Sequence, residues 1–175
     1  IGGRTLALAI NPSNPDIIYA GSASGGLWKS ATGGSGLNAW EYVRTGYPVL
    51  GVGAIAIDPN DTNTMYIGTG ENYGSLESFP GIGYRRTTRG SYGIGILKSK
   101  DGGQTWGKSL DWSLDQRTAV QKIQVNPIRS NSVWAATTEG LYRSYDGGET
   151  WENVHKIVMA TDIIINPIDT SIVYV

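Results

Sequence analysis

The chain has 175 residues, a net charge of −1 and only 17% charged residues. Twenty-five glycines break helices, while six tryptophans and ten tyrosines supply a core, so a helical bundle and a disordered chain are both excluded. There is no basic footprint for nucleic acid and no apolar run long enough to span a membrane, and the lack of cysteine excludes disulfides, thiol catalysis and cysteine–zinc sites.

The single histidine, His155, rules out a multi-histidine metal site, and neither a metal nor a cofactor is expected. The opening IGGRTLALAI lacks the charged region and cleavage site of a signal peptide, so any targeting segment is expected to have been removed or to lie upstream.

In chain order, the first predicted element is a strand over the aliphatic run ending at Asn11-Pro12. A second strand runs through Ile18 and Tyr19, a third is GLWKS at 26–30, and a fourth begins at Trp40. The same succession then recurs. Asx-Pro pairs stand at Asn11-Pro12, Asp58-Pro59, Asn126-Pro127 and Asn166-Pro167. One residue before each Asx come Ile10, Ile57, Val125 and Ile165, and three before come Leu8, Ile55, Ile123 and Ile163. Seven after come Ile18, Met65, Val133 and Val173, and eight after come Tyr19, Tyr66, Trp134 and Tyr174. GILKS (95–99) and GLYRS (140–144) repeat GLWKS. Large aliphatics on one face of the first strand, with Ala9, Ala56 and Gln124 on the other, suit a sheet stacked between two neighbours.

Four strands per repeat, at spacings of 47, 68 and 40 residues, predict an all-β chain built as a β-propeller of four-stranded antiparallel blades. A β-sandwich gives no reason for four copies in register. Blade 1 is expected over 1–44, blade 2 over 45–112 with an insertion at 71–92, blade 3 over 113–155, and half of blade 4 over 156–175. Three and a half blades cannot close a ring. The remaining blades, of six to eight, are therefore expected from more of the same chain or from a partner chain.

Two turns share one pattern, S/T-x-D-x-G-x-T-W. One contains Ser99, Asp101, Gly103, Thr105 and Trp106, the other Ser144, Asp146, Gly148, Thr150 and Trp151. A short Asp side chain accepts from the N–H groups of its own turn, glycines supply positive φ, and the Trp anchors the last strand, so these residues read as structural. In the first repeat Thr32 replaces the Asp.

This pattern is the Asp-box, and the chain resembles the Asp-box (BNR) repeat propellers. They include sialidases, xyloglucan-active glycoside hydrolases, sortilin-type ectodomains and a photosystem II assembly factor. The nearest resemblance is to bacterial secreted glycosyl-hydrolase-like or sortilin-like BNR-repeat proteins, carried by residues 11–30, 66–71 and 93–106. It implies a secreted or cell-surface bacterial location, and in some relatives a domain for type IX secretion.

In an up-and-down blade the regular turns lie on one face of the disc, and the B–C and D–A loops lie on the other. The insertion ENYGSLESFPGIGYRRTTRGSY falls on the second, variable face. Its Tyr73, Tyr84, Arg85, Arg86 and Arg89, with Trp112, are the candidate binding residues for a protein or a glycan, and Trp112 and Tyr84 have the shape to stack on sugars. Glycoside hydrolysis needs two carboxylates on one face. Glu71, Asp111 and Asp115 are the candidates, with Glu77, Glu139 and Asp162 also on that face. Sialidase chemistry needs arginines from separate blades, and Arg85, Arg86 and Arg89 share one loop. GVGAIA (51–56) imitates half a dinucleotide fingerprint but sits on a repeat strand, and the Asp58–Asn63 stretch has calcium-like spacing but is the repeated turn.

The residues thus point first to an interaction module that binds a protein or glycan through the variable face. The alternative is part of a polysaccharide-cleaving glycoside hydrolase. A third reading is a spacer in a large adhesin or a type IX secretion cargo. No nucleic-acid partner and no membrane insertion are expected.

Overall fold

The computed structural model describes residues 3–49, 51–72, 90–115, 117–156 and 159–175, together with the backbone of 75–76 and 86–87. The first sheet contains β1 (Thr5–Asn11), β2 (Asn14–Ser22), β3 (Leu27–Ser30) and β4 (Glu41–Val43). The second contains β5 (Val52–Ile57) and β6 (Met65–Thr69), and after a short pair β7 (Ser75–Leu76) and β8 (Arg86–Thr87) it is completed by β9 (Gly95–Ser99) and β10 (Gly107–Asp111). The third runs β11 (Val120–Val125), β12 (Val133–Thr137), β13 (Gly140–Ser144), β14 (Glu152–His155), and the last pair is β15 (Ile164–Ile165) with β16 (Val173–Tyr174). Within each sheet, strands are antiparallel and ordered as they occur in the chain. The fourth strands start one residue after the predicted position, at Gly107 and Glu152, because each Trp still belongs to the turn.

The sheets stack face to face as the blades of a partial β-propeller. β5 lies against β1 on one side and β11 on the other, which puts the first strand of each sheet innermost. Three apolar cores fill the three gaps. Between the first two sheets lie Tyr19, Leu27, Val52, Met65, Ile67 and Leu97. Between the second and third lie Ala54, Ala56, Tyr66, Ile96, Ile123 and Val133. Ala136, Leu141, Ile163 and Ile165 fill the last. Strand period two produces this allocation: Met65 and Ile67 point to one neighbour and Tyr66 to the other. The large-against-small pattern of the inner strands is realised between sheets two and three, where Ala54 and Ala56 meet Ile123 and Val125. Gly21 and Gly68, at one repeat position, leave room for the following sheet. A Cβ on Gly68 would stand 2.6 Å from a Val120 methyl, and one on Gly21 2.4 Å from the Val52 carbonyl oxygen.

Local hydrogen bonds close the turns. Asn11, Asp58, Asn126 and Asn166 each accept, through Oδ1, the backbone N–H two residues on, at 2.9 Å. This Asx turn is what the Asx-Pro pairs encode. Asp58 Oδ1 also accepts from Ser130 Oγ, so the stretch with calcium-like spacing is spent on holding two turns together.

One hydrogen bond crosses between blades at a repeated place. Tyr19 Oη donates to the Gly102 carbonyl at 2.9 Å, and Tyr66 Oη to the Gly147 carbonyl at 2.7 Å. Each joins the second strand of one sheet to the outer turn of the next. Burial, then the charges of Asp58, Glu149 and Asp146, push the Tyr66 hydroxyl well above its ordinary value, so it remains a donor at any working pH. Tyr66→Phe keeps the packing and removes the donor. The expected loss is about 1–2 kcal/mol, read as a lower urea midpoint with unchanged slope.

Candidate functional site

At the regular face, Asp101 shows what the Ser-x-Asp-Gly-Gly turn does. Its carboxylate accepts from Gln104 N–H, Thr105 N–H and the Ser99 and Thr105 hydroxyls. Ser99 Oγ in turn accepts Gly103 N–H at 2.9 Å, and Trp106 Nε1 donates to the Gly103 carbonyl. Gly102 and Gly103 take φ of 66° and 82°, which glycine adopts without strain. Asp146 repeats the arrangement with Ser144, Glu149 and Thr150, and Gly148 N–H donates to Ser144 Oγ. Trp151 departs from it, donating to Ser109 Oγ. All the hydrogen bonds shown for these two carboxylates come from their own turns. Hydrogen bonds from Thr105 hold Asp101 down at about 2, and those from Thr150 hold Asp146 lower still. Lys98 and Lys100 hold Glu149 at about 2.

The opposite face carries the irregular chemistry. β6 ends in Thr69, whose Oγ1 donates to the Gly95 carbonyl at 2.7 Å and accepts Ile94 N–H at 2.8 Å. Gly70 then turns the chain at φ 87° and delivers Glu71, whose N–H donates to the Ser91 carbonyl. The Glu71 carboxylate is 7% exposed and lies 2.6 Å from Arg4 Nη2, which reaches over from the start of the first sheet. Beside it, Asn72 Nδ2 contacts Met159 Sδ at 3.0 Å. Asn72 Oδ1 and Ser91 Oγ are buried without a hydrogen-bond partner among the described residues. Buried polar atoms in folded proteins are normally satisfied, so this pair makes the loop face the candidate site among the described residues.

Of the residues singled out by sequence, Glu71 stands in this cluster. Asp111 ends the outermost strand of the same sheet and is tied to the Ser113 hydroxyl and N–H and to Lys108 at 3.0 Å, which hold its carboxyl at about 2. Asp115 pairs with Arg117 at 3.2 Å. Asp111 thus ends the outer strand β10, Asp115 follows it in the chain, and Glu71 follows β6, two strands further in. Trp112 corrects an expectation. It is 3% exposed, packed edge-on against Tyr142 with Arg117 over its ring, so it fills the gap between two sheets and offers no face to a sugar. Arg86 lies on β8, with its backbone paired to Leu76. Tyr73, Tyr84, Arg85 and Arg89, with Glu77, lie outside the described residues. Arg4, Asn72 and Ser91 were not anticipated. None sits at a repeated position, and the only hint was the polar stretch around Glu71.

No protein-family model matches the chain. It is similar to the xyloglucanase of Hypocrea jecorina, 26% identical over 185 residues that span 97% of this chain and 20% of that enzyme. Xyloglucanase Xgh74A of Acetivibrio thermocellus is 27% identical over 180 residues, spanning 95% of this chain and 19% of its own. The chain thus spans about a fifth of the length of the curated relatives it matches. Among solved structures, an ancestral GH74 enzyme superposes with a TM-score of 0.65 at 21% identity, covering 94% of this chain and 21% of that one. YCF48 bound to D1 peptide superposes with a TM-score of 0.58 at 16% identity, covering 94% and 45%. At these identities the structural likeness shows the fold, a β-propeller.

The depressed carboxylates make a pH prediction. A carboxyl held below its ordinary value contributes stability that is complete above about pH 4 and is lost as pH falls toward its folded value. The urea midpoint is expected to drop between about pH 4 and pH 2. Asp101→Asn should lower the midpoint at neutral pH and make that acid fall shallower. A variant that keeps the wild-type acid slope would assign the fall to other groups.

Proposed function

We propose that this chain is an arc of a secreted or cell-surface Asp-box propeller that processes a polysaccharide of the xyloglucan class, and that it holds the glycan on the variable face at Arg4, Glu71, Asn72 and Ser91. In this reading the blades run over 1–44, 45–112, 113–155 and 156–175. The observation that carries the proposal is the cluster itself. A carboxylate held by a guanidinium, an amide oxygen and a hydroxyl supply acceptors and donors for sugar hydroxyls, and Asn72 Oδ1 and Ser91 Oγ have no hydrogen-bond partner among the described residues. Similarity to xyloglucanases along nearly the whole chain supports the choice of polysaccharide.

One observation favours a second reading, a propeller arc that binds without cutting. A glycoside hydrolase needs a carboxylic acid that stays protonated until it reaches the leaving group. Asp111 is instead locked as an anion by Ser113 and Lys108, and Asp115 and Glu71 are ion-paired.

Titration of the protein with xyloglucan oligosaccharides and with cellohexaose, alongside a reducing-end assay on xyloglucan, tests both. Saturable binding of the xyloglucan oligosaccharides is expected, weakened at least about tenfold by Asn72→Ala with Ser91→Ala. New reducing ends, abolished by Glu71→Gln, would establish hydrolysis. Binding with no new ends would establish the second reading, and no binding of either sugar would overturn both.

A further inference from the structure

The second and third sheets each carry all four strands, and a groove of about 360 Å³ opens between them beside the Asp-Gly-Gly turns. Lys98, Lys100 and Lys108 line it from the second sheet, and Glu149 from the third sheet's turn. Lys98 Nζ and Lys100 Nζ donate to one and the same oxygen, Glu149 Oε1, at 2.8 and 2.9 Å. The Lys98 side chain is 12% exposed and its ammonium lies 5.8 Å from the centre of the Tyr66 ring, whereas Glu149 is 58% exposed. The cation is thus packed in place, and the acid lies over it at the surface. Bonding to Glu149 pushes the Lys100 ammonium upward, so the place between the two lysines favours negative charge. Lys108 pairs with Asp111 at 3.0 Å, on the outer strand β10.

The repeat does not require this collection of charge. Lys100 follows the serine that opens the turn, and Ala31 and Tyr145 hold that place in the other two sheets. Lys108 lies opposite Leu97, and the equivalent pairs are Tyr42 with Trp28 and Asn153 with Tyr142. At the gap between the first two sheets, Gln104 stands in the place of Glu149 and bonds within its own turn. Packing the blades therefore needs neither Lys100 nor Lys108 nor an acid between them. The three lysines come together at one gap only.

We propose that this groove binds an acidic polysaccharide, a chain of uronic-acid sugars whose carboxylates replace Glu149 between Lys98 and Lys100 and engage Lys108. Glu149 is the internal stand-in for the ligand's carboxylate, and it swings aside into solvent when the sugar acid enters. Charge complementarity selects the occupant, because three ammonium groups line the groove against one acid. The backbone of β10 disfavours an added peptide strand. It pairs with β9 across a register shift between Lys108 and Leu110 and carries a lysine, two features that blunt a sheet edge. The ligand is held by side-chain charge instead, which suits carboxylates spaced along a sugar chain. The inference does not rest on the reading of the variable face, which lies at the other ends of the strands.

The probe is a hexamer of galacturonic acid, titrated calorimetrically into the 175-residue chain at low salt. Saturable one-to-one binding with a Kd below about 1 mM is expected, weakening as salt is added. Lys100→Glu with Lys108→Glu should weaken it at least about tenfold. Arg129→Glu with Lys156→Glu makes the same change in net charge outside the groove and should leave the affinity within about twofold. Glu149→Gln removes the internal competitor and should tighten binding at least about threefold. The second sheet's turn already carries glutamine at that place, as Gln104. The two charge-reversed pairs decide the matter even if Glu149→Gln lowers stability. No saturation, equal loss in both pairs, or weaker binding by a folded Glu149→Gln chain would overturn the proposal.

Discussion

All five residues of β6 are buried, because Met65 and Ile67 face one sheet while Tyr66 faces the other. A sheet covered on both faces has no solvated side to carry polar groups, so a polar atom on it must reach a partner in the neighbouring sheet. Tyr66 does this by passing its hydroxyl across the gap to the Gly147 carbonyl. A buried hydroxyl left unpaired costs about 1–3 kcal/mol. This single bond therefore specifies which turn must lie opposite and at what height. Tyr19 imposes the same condition one sheet earlier.

The same constraint divides the molecule chemically. With both faces committed to packing, charged and catalytic chemistry is confined to the strand ends. At one end, the aspartates of the Asp-Gly-Gly turns are bonded by the threonine hydroxyls and N–H groups of their own turns, which lowers their proton affinity. At the other end the connections vary in length, and there Asn72 Oδ1 and Ser91 Oγ, buried without a partner among the described residues, lie near Glu71. Recognition is more readily built where bonds remain to be made.

How much of this the sequence disclosed follows from the range of each interaction. The Asx turns and the Asp-Gly-Gly turns are closed by bonds spanning two to four residues, so their residue types sit at fixed offsets and can be read directly. Strand faces were readable for the same reason, since alternation is local. The Arg4–Glu71 pair joins residues from different sheets, and nothing near either residue in the chain announces the other. Trp112 shows the converse failure. An aromatic just after a strand, beside charged residues, looks like an exposed platform. Its burial against Tyr142 depends on the next sheet, which local pattern does not reveal. The insertion carries no repeat signal at all, so only its position between β6 and β9 was inferable.

The blade interfaces also differ from one another in a way that bears on order. The tyrosine-to-glycine bond is the same at both complete gaps and sets their geometry. The charges beside it are not the same. Glu149 follows the glycines in the third sheet's turn and is gripped by Lys98 and by Lys100, whereas Gln104 holds that place in the second and bonds only within its own turn. A repeated protein whose interfaces were all alike would accept its blades in any sequence. A neutral residue at one gap and a buttressed acid at the next add an electrostatic distinction of the kind that discourages wrong pairing. The hydrogen bond is thus common to both complete gaps, and the charge beside it is what differs between them.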